Sequence, residues 1–181
     1  RITVPDGTTY TYTLFGNEYE TFPLSNGNGI YRINIYENVQ DDLYAVVNTQ
    51  TLDVTLADEF RPFLYPNYYS EYNADSEAVK LGIELSEKSY SDLEYLCQVY
   101  EYIINNITYD HELAASSPVD YVPDMDQTLS SKKGICFDYA SLMTGMLRSQ
   151  SIPTRLEVGY SGKVYHAWIS VYLKETGWVD G

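Results

Sequence analysis

Through the first third of the chain apolar and polar positions alternate in short runs; beyond it the apolar spacing becomes helical. Residues 9–15 form a β-branched and aromatic run closed by Gly16-Asn17, and Ser25-Asn26-Gly27-Asn28-Gly29 is a turn cluster. In residues 30–36 alternation sets Arg32, Asn34 and Tyr36 on one face and Tyr31, Ile33 and Ile35 on the other. Residues 43–47 read as another strand after Gln40-Asp41-Asp42, and residues 52–56 alternate cleanly. Strands at this spacing predict a small sandwich or sheet module. Pro62 and Pro66 break regular structure and mark a linker, so a β-rich accessory module is expected over 1–70 and a second domain over 71–181.

The second part opens with a helix predicted over 75–87, apolar at Ala78, Val79, Leu81 and Ile83. Ser91 followed by Glu94 is a capping box. Leu93, Leu96, Tyr100, Ile103, Ile104 and Ile107 then recur at three- and four-residue steps. Cys97 lies beside that stripe and reads as a small core residue. Residues 108–126 read as a long polar connection, in which His111 is a loop or capping histidine. A helix opening at Gly134-Ile135-Cys136 buries Ala140, Met143, Met146 and Leu147, and ends in Ser149-Gln150-Ser151-Ile152-Pro153. Residues 154–160 and 163–172 alternate as two strands joined at Ser161-Gly162, an antiparallel hairpin.

Chemistry concentrates in that last stretch. Cys136 falls in the first turn of its helix, where the dipole's positive end and unpaired N–H groups favour thiolate over thiol. Gly134 lets the backbone bend and leaves room for a substrate backbone. On the second strand Val164, His166, Trp168, Ser170 and Tyr172 share a face. If that face packs on the helix, the His166 ring reaches the thiol. A paired imidazole would take the thiol proton and return it to a leaving group, as acyl transfer requires.

The ordered run Gly134-Ile135-Cys136 with Asp138 and Ala140, Leu147-Arg148, Ile152-Pro153-Thr154-Arg155, Val158-Gly159-Tyr160 and His166-Ala167-Trp168 resembles the core of the transglutaminase-like superfamily. The match is clear over 134–172 and looser from about 91, where Ile107-Thr108-Tyr109 resembles the family's lead-in. The resemblance implies an α+β, papain-like fold with the nucleophile helix packed on an antiparallel sheet. It implies Cys136 as nucleophile and His166 as base, with no metal or organic cofactor. The family's third member, an aspartate orienting the imidazole, follows on the next strand. Asp180, in Gly177-Trp178-Val179-Asp180-Gly181, shares a face with Trp178 and is one candidate for that catalytic role; it comes early, and the alternative is an aspartate beyond residue 181. Gly134-Ile135-Cys136-Phe137 also departs from the Gly-Gln-Cys-Trp of animal transglutaminases, which argues against protein cross-linking. The Cys136 N–H is one expected oxyanion donor; for the second, Tyr139 and Gln127 are near in sequence only.

Composition narrows the partners. The 181 residues carry 26 acidic against 11 basic side chains, net charge −15, a surface that repels phosphate backbones and anionic lipid. Nucleic acid is excluded as a partner, and no apolar run is long enough to span a membrane. The 20 tyrosines suit half-exposed strand positions. Two cysteines make no disulfide framework. A chain starting at Arg1, poor in Lys and rich in Tyr, Thr and Asn, suggests a fragment of an exported bacterial protein, extracellular or at the cell surface. The expected partner is a peptide or protein substrate, with the cell wall as its expected setting; the sequence sets no oligomeric state. Two functions follow: thiol-dependent acyl transfer or hydrolysis at peptide or amide bonds, or a non-catalytic adhesion or wall-binding module on the same fold.

Overall fold

The computed structural model describes residues 1–16, 19–118 and 120–180. Asn17, half of the expected closing turn, and Gly181 lie outside them. The chain divides into two units, Arg1–Pro62 and Phe63–Gly181.

The first unit is antiparallel sheet. β1 (Ile2–Thr3) lies between β2 (Thr9–Tyr10) and β3 (Gly29–Gln40), and β3 pairs along its length with β4 (Leu43–Val54). The two strands expected at 43–47 and 52–56 are one continuous β4, and the aromatic run 9–15 supplies only β2. Asp41, at φ +50°, carries the tight turn between β3 and β4, as an Asp can. Among the described residues only Ile2, Val4 and Tyr31 form this unit's buried apolar centre, with Tyr12, Phe22, Leu24, Ile33 and Val54 packed on it. Tyr31 is wholly buried, and its hydroxyl donates to the Gly27 carbonyl at 2.7 Å, which pins the glycine-rich turn to the sheet.

The second unit is a helical layer on a three-stranded sheet. Its helices are α1 (Glu77–Ser86), α2 (Asp92–Asn106), α3 (His111–Ser116), α4 (Met125–Ser131) and α5 (Cys136–Ser149). The sheet runs β7 (Thr154–Ser161), β8 (Val164–Leu173), β9 (Gly177–Asp180), antiparallel throughout. A short parallel pair, β5 (Thr108–Tyr109) with β6 (Lys133–Gly134), stands just before α5. Gly162, at φ +65°, supplies the first central residue of the two-residue β7–β8 turn, a place that glycine fills without strain.

α5 is the centre of this unit. Ala140, Leu142, Met146 and Leu147 are buried among α1, α2 and the sheet, and Ser141, Thr144 and Arg148 are buried too. Met143, expected in the buried stripe, is half-buried at its edge. At the far end the Arg148 guanidinium donates to the Thr154 carbonyl at 2.9 and 2.7 Å and to the Tyr65 carbonyl at 2.9 Å. Burial lowers its pKa to about 10. The segment before α1 also belongs here: Ser141 donates to the Tyr69 carbonyl at 2.7 Å, and Ser70 to the Ser141 carbonyl at 3.3 Å. Residues 63–70, which the prolines suggested as the tail of the β-rich part, are therefore hydrogen-bonded to α5.

Three local expectations are corrected. α2 buries Tyr95, Val99 and Ile103, whereas Leu93, Tyr100 and Ile104 are exposed. Cys97 is exposed as well rather than a core residue. Both faces of α2 carry apolar side chains, and the one presented to α5 is that on which Tyr95 can donate to the Met146 carbonyl, at 2.9 Å. The connection 108–126 is also more ordered than its polarity suggested. Asp110 accepts the Glu112 and Leu113 N–H groups to start α3, and Asp124 accepts that of Gln127 to start α4. These are N-cap signals within a segment whose apolar content is too low to announce a helix.

Candidate active site

Cys136 stands where expected, in the first turn of α5, half-buried and free of any disulfide. The turn is built by Asp138, only 2% exposed. Its carboxylate reaches back to accept the Ile135 N–H at 2.7 Å, and its other oxygen accepts the Tyr121 hydroxyl at 2.7 Å. Burial raises the Asp138 pKa, against the lowering effect of those two donors. Gly134 is required for a different reason from the one anticipated. A β-carbon there would come within 2.7 Å of the Asp138 β-carbon, so the glycine makes room for the capping carboxylate.

His166 is exposed near the hairpin end of β8, opposite Gly159. The β8 face in the core is Ala167, Ile169, Val171 and Leu173; the face carrying His166, Trp168 and Ser170 is the other. This corrects the layout in which the histidine's own face packs on α5. Among the described residues no hydrogen bond joins the His166 ring to the Cys136 thiol. The Trp168 indole lies over Gly159, where an added β-carbon would stand 3.2 Å from the ring, so it covers the histidine's cross-strand position.

Asp180 lies opposite Ser170, whose hydroxyl lies at hydrogen-bond distance from it, 3.0 Å, and from Glu157. Ser170 is four residues along β8 from His166 (170 − 166), roughly 13 Å of strand. Of the two side chains considered for the second oxyanion donor, Tyr139 gives its hydroxyl to the Ile107 carbonyl at 2.9 Å, and Gln127 is exposed on α4.

A residue that sequence reasoning left in the lead-in stands closer. Tyr109 pairs with Gly134 across β5–β6, which brings its phenol beside Cys136. The ring lies 5.0 Å from that of His111 and 6.2 Å from that of Tyr139. Burial and the adjoining thiol raise the phenol's pKa. Among the described residues no cluster of His, Cys, Asp and Glu is arranged to hold a metal ion, and no helix is long and apolar enough to cross a membrane.

A thiol at a helix start, on a helix wedged against an antiparallel sheet with a histidine strand, is the plan of papain-like thiol proteins. Residues 79–180 match the model of the transglutaminase-like superfamily, more than half of the chain, and the chain belongs to that family. Over 121 residues it is 31% identical to the uncharacterized protein YebA of Bacillus subtilis, covering 55% of this chain and 16% of that protein; it thus spans a small part of the relative's length. In fold it is similar to a putative cysteine protease from Cytophaga hutchinsonii (20% identity, TM-score 0.50, 91% of this chain and 68% of that one). It is also similar to the periplasmic domain of TgpA from Pseudomonas aeruginosa (16% identity, TM-score 0.53, 84% and 68%).

Proposed function

We propose that this chain catalyses thiol-dependent acyl transfer or hydrolysis at peptide or amide bonds, with Cys136 as nucleophile and His166 as base. The carrying observation is the placement of Cys136 in the first turn of α5, half-buried and free of any disulfide. The supporting geometry is one of level. Arg148 fixes the far end of α5 to Thr154, which pairs with Val171. Cys136 lies twelve residues earlier (148 − 136), roughly 18 Å of helix. His166 lies five residues before Val171 (171 − 166), roughly 17 Å of strand. If α5 runs along β8, thiol and imidazole stand at the same height; because His166 projects from the face of β8 turned away from the core, pairing them takes a shift of the strand's end as well as of the side chain.

In the reaction the imidazole takes the thiol proton, and the sulfur attacks the carbonyl carbon. The imidazolium then protonates the departing amine, leaving a thioester that water or a second amine resolves. The orienting carboxylate of this proposal lies beyond residue 181, because Asp180 is committed to Ser170, well along the strand from His166. The exported setting, a peptide or protein substrate at the cell surface, and an accessory role for residues 1–70 beside a core at 71–181 belong to the same proposal. The periplasmic domain of TgpA is a relative in fold compatible with that location.

The test is acylation of the protein by an activated ester, followed by mass spectrometry. Cys136→Ala is expected to abolish the adduct, and His166→Ala to slow it by about 10²- to 10⁴-fold. Asp180→Ala is expected to cost less than about tenfold, far below the loss on removing a triad member. An unaltered rate in His166→Ala would sink the assignment of the base. The missing thiol–imidazole hydrogen bond favours a second reading, a binding module on the same fold. That reading expects no acyl adduct on Cys136 at all.

A further inference from the structure

Nothing so far accounts for the phenol beside the nucleophile. β5 and β6 pair in register, Thr108 with Lys133 and Tyr109 with Gly134. The pairing is locked by the Thr108 N–H on the Lys132 carbonyl at 2.8 Å and the Asp110 N–H on the Gly134 carbonyl at 2.9 Å. Tyr109 is thereby fixed two residues upstream of the thiol's position, and its ring is held between His111 and Tyr139. Tyr139 is itself anchored by its bond to the Ile107 carbonyl. The pairing places the phenol beside Cys136, near enough for the thiol to raise its pKa.

We infer that Tyr109 is the second oxyanion donor of the site, partnering the Cys136 N–H when the carbonyl is attacked; the inference rests on the proposed acyl chemistry. The reasoning follows the charge. As the sulfur bonds to the carbonyl carbon, the π pair of the C=O moves onto oxygen, so negative charge leaves sulfur for an atom beside it. A phenol already beside the thiol needs a small shift to meet that oxygen. The Cys136 N–H and the phenol O–H then both donate to it. It keeps its proton throughout; the proton that moves is the thiol's, by way of His166 to the leaving group. When the tetrahedral species collapses the oxygen's pair re-forms the C=O, the C–N bond breaks, and the phenol returns to the sulfur. The raised phenol pKa keeps this donor protonated at neutral and mildly alkaline pH.

Two reactions of Cys136 separate this role from mere support of the thiol. Alkylation by iodoacetamide is a displacement at carbon that generates no oxyanion; acylation by a nitrophenyl ester passes through one. Both rates are measured in wild type and Tyr109→Phe on the pH plateau where the thiol is fully ionised, and matched thermal midpoints establish that the ring still packs. The expected result is alkylation within about threefold of wild type and acylation lowered on the order of 10²-fold, the usual cost of one oxyanion donor. Equal losses in the two reactions, or no loss in either, would overturn the role. A wild-type protein that alkylates but never acylates would overturn the acyl chemistry itself, and the role of Tyr109 with it.

Discussion

Cys97 and Cys136 make an internal comparison, because exposure and activation point in opposite directions. Cys97 is the more exposed thiol, yet it sits in mid-helix on α2 with no helix start behind it. Cys136 is half-buried but has the N–H groups of the first turn and the dipole of α5. Under limiting iodoacetamide at neutral pH, Cys136 is expected to react about tenfold faster or more; peptide mapping after timed quenching reads the order. Faster labelling of Cys97 would mean that access governs and that the helix start confers nothing.

Asp138 offers the second residue-scale prediction. It satisfies a buried N–H and a phenol at once, so Asp138→Ala leaves both without a partner and is expected to cost about 2–4 kcal/mol in denaturant unfolding. The pH dependence has a definite sign. Burial holds the carboxyl's pKa above its unfolded value, so the folded state keeps this proton where the unfolded chain has lost it. Its contribution is greatest below the ordinary carboxylate value near pH 4. It declines as pH rises through the raised folded value. The difference in stability between wild type and Asp138→Asn, followed against pH, isolates this contribution; a difference growing in favour of wild type with rising pH would contradict it.

At the scale of elements, the start of α1 is satisfied by a side chain from elsewhere in the chain. α1 has Ser76 at its N-cap, but the Ser76 hydroxyl accepts the Asn73 N–H at 3.1 Å and caps no N–H of the helix. Instead Asp126, on α4, accepts the Glu77 and Ala78 N–H groups at 3.0 and 2.9 Å. Asp126→Ala is therefore expected to destabilise by about 1–2 kcal/mol, the cost of a lost cap, although it lies far from α1 in sequence. Chemical denaturation measures it, and Ser76→Ala should cost much less. The capping box read from Ser91 and Glu94 is present in modified form: Ser91 accepts the Glu94 N–H at 3.1 Å, while the Glu94 carboxylate takes the Tyr90 N–H at 2.8 Å. The hairpin at Ser161-Gly162, the start of α5 and the strand alternation of β8 were legible because each is set by near neighbours. The burial phase of α2 and the cap of α1 were not, because each depends on a partner many residues away.

At the scale of the molecule, the two units differ in what they can bury. The second has a continuous apolar core spanning α1, α2, α5 and the sheet, whereas the buried centre of the first is three side chains. Residues 63–181 produced alone are expected to unfold cooperatively with heat; residues 1–62 alone are expected to show no cooperative transition, since so small a core offsets little chain entropy. Calorimetry on the two pieces decides between this and two independently folding domains. The net charge of −15 adds that salt should raise the stability of the whole chain modestly by screening self-repulsion.

The sequence alone determined the family, the helix that opens at Cys136 and the strand that carries His166, because these are ordered short-range patterns. Only the tertiary structure decided which face of β8 meets α5, which face of α2 is buried, that Asp180 serves Ser170, and that Tyr109 lies beside Cys136 while the Tyr139 hydroxyl is spent on Ile107. Those outcomes depend on register and on the competition between alternative packings, which compare residues far apart along the chain and leave no local periodicity to read.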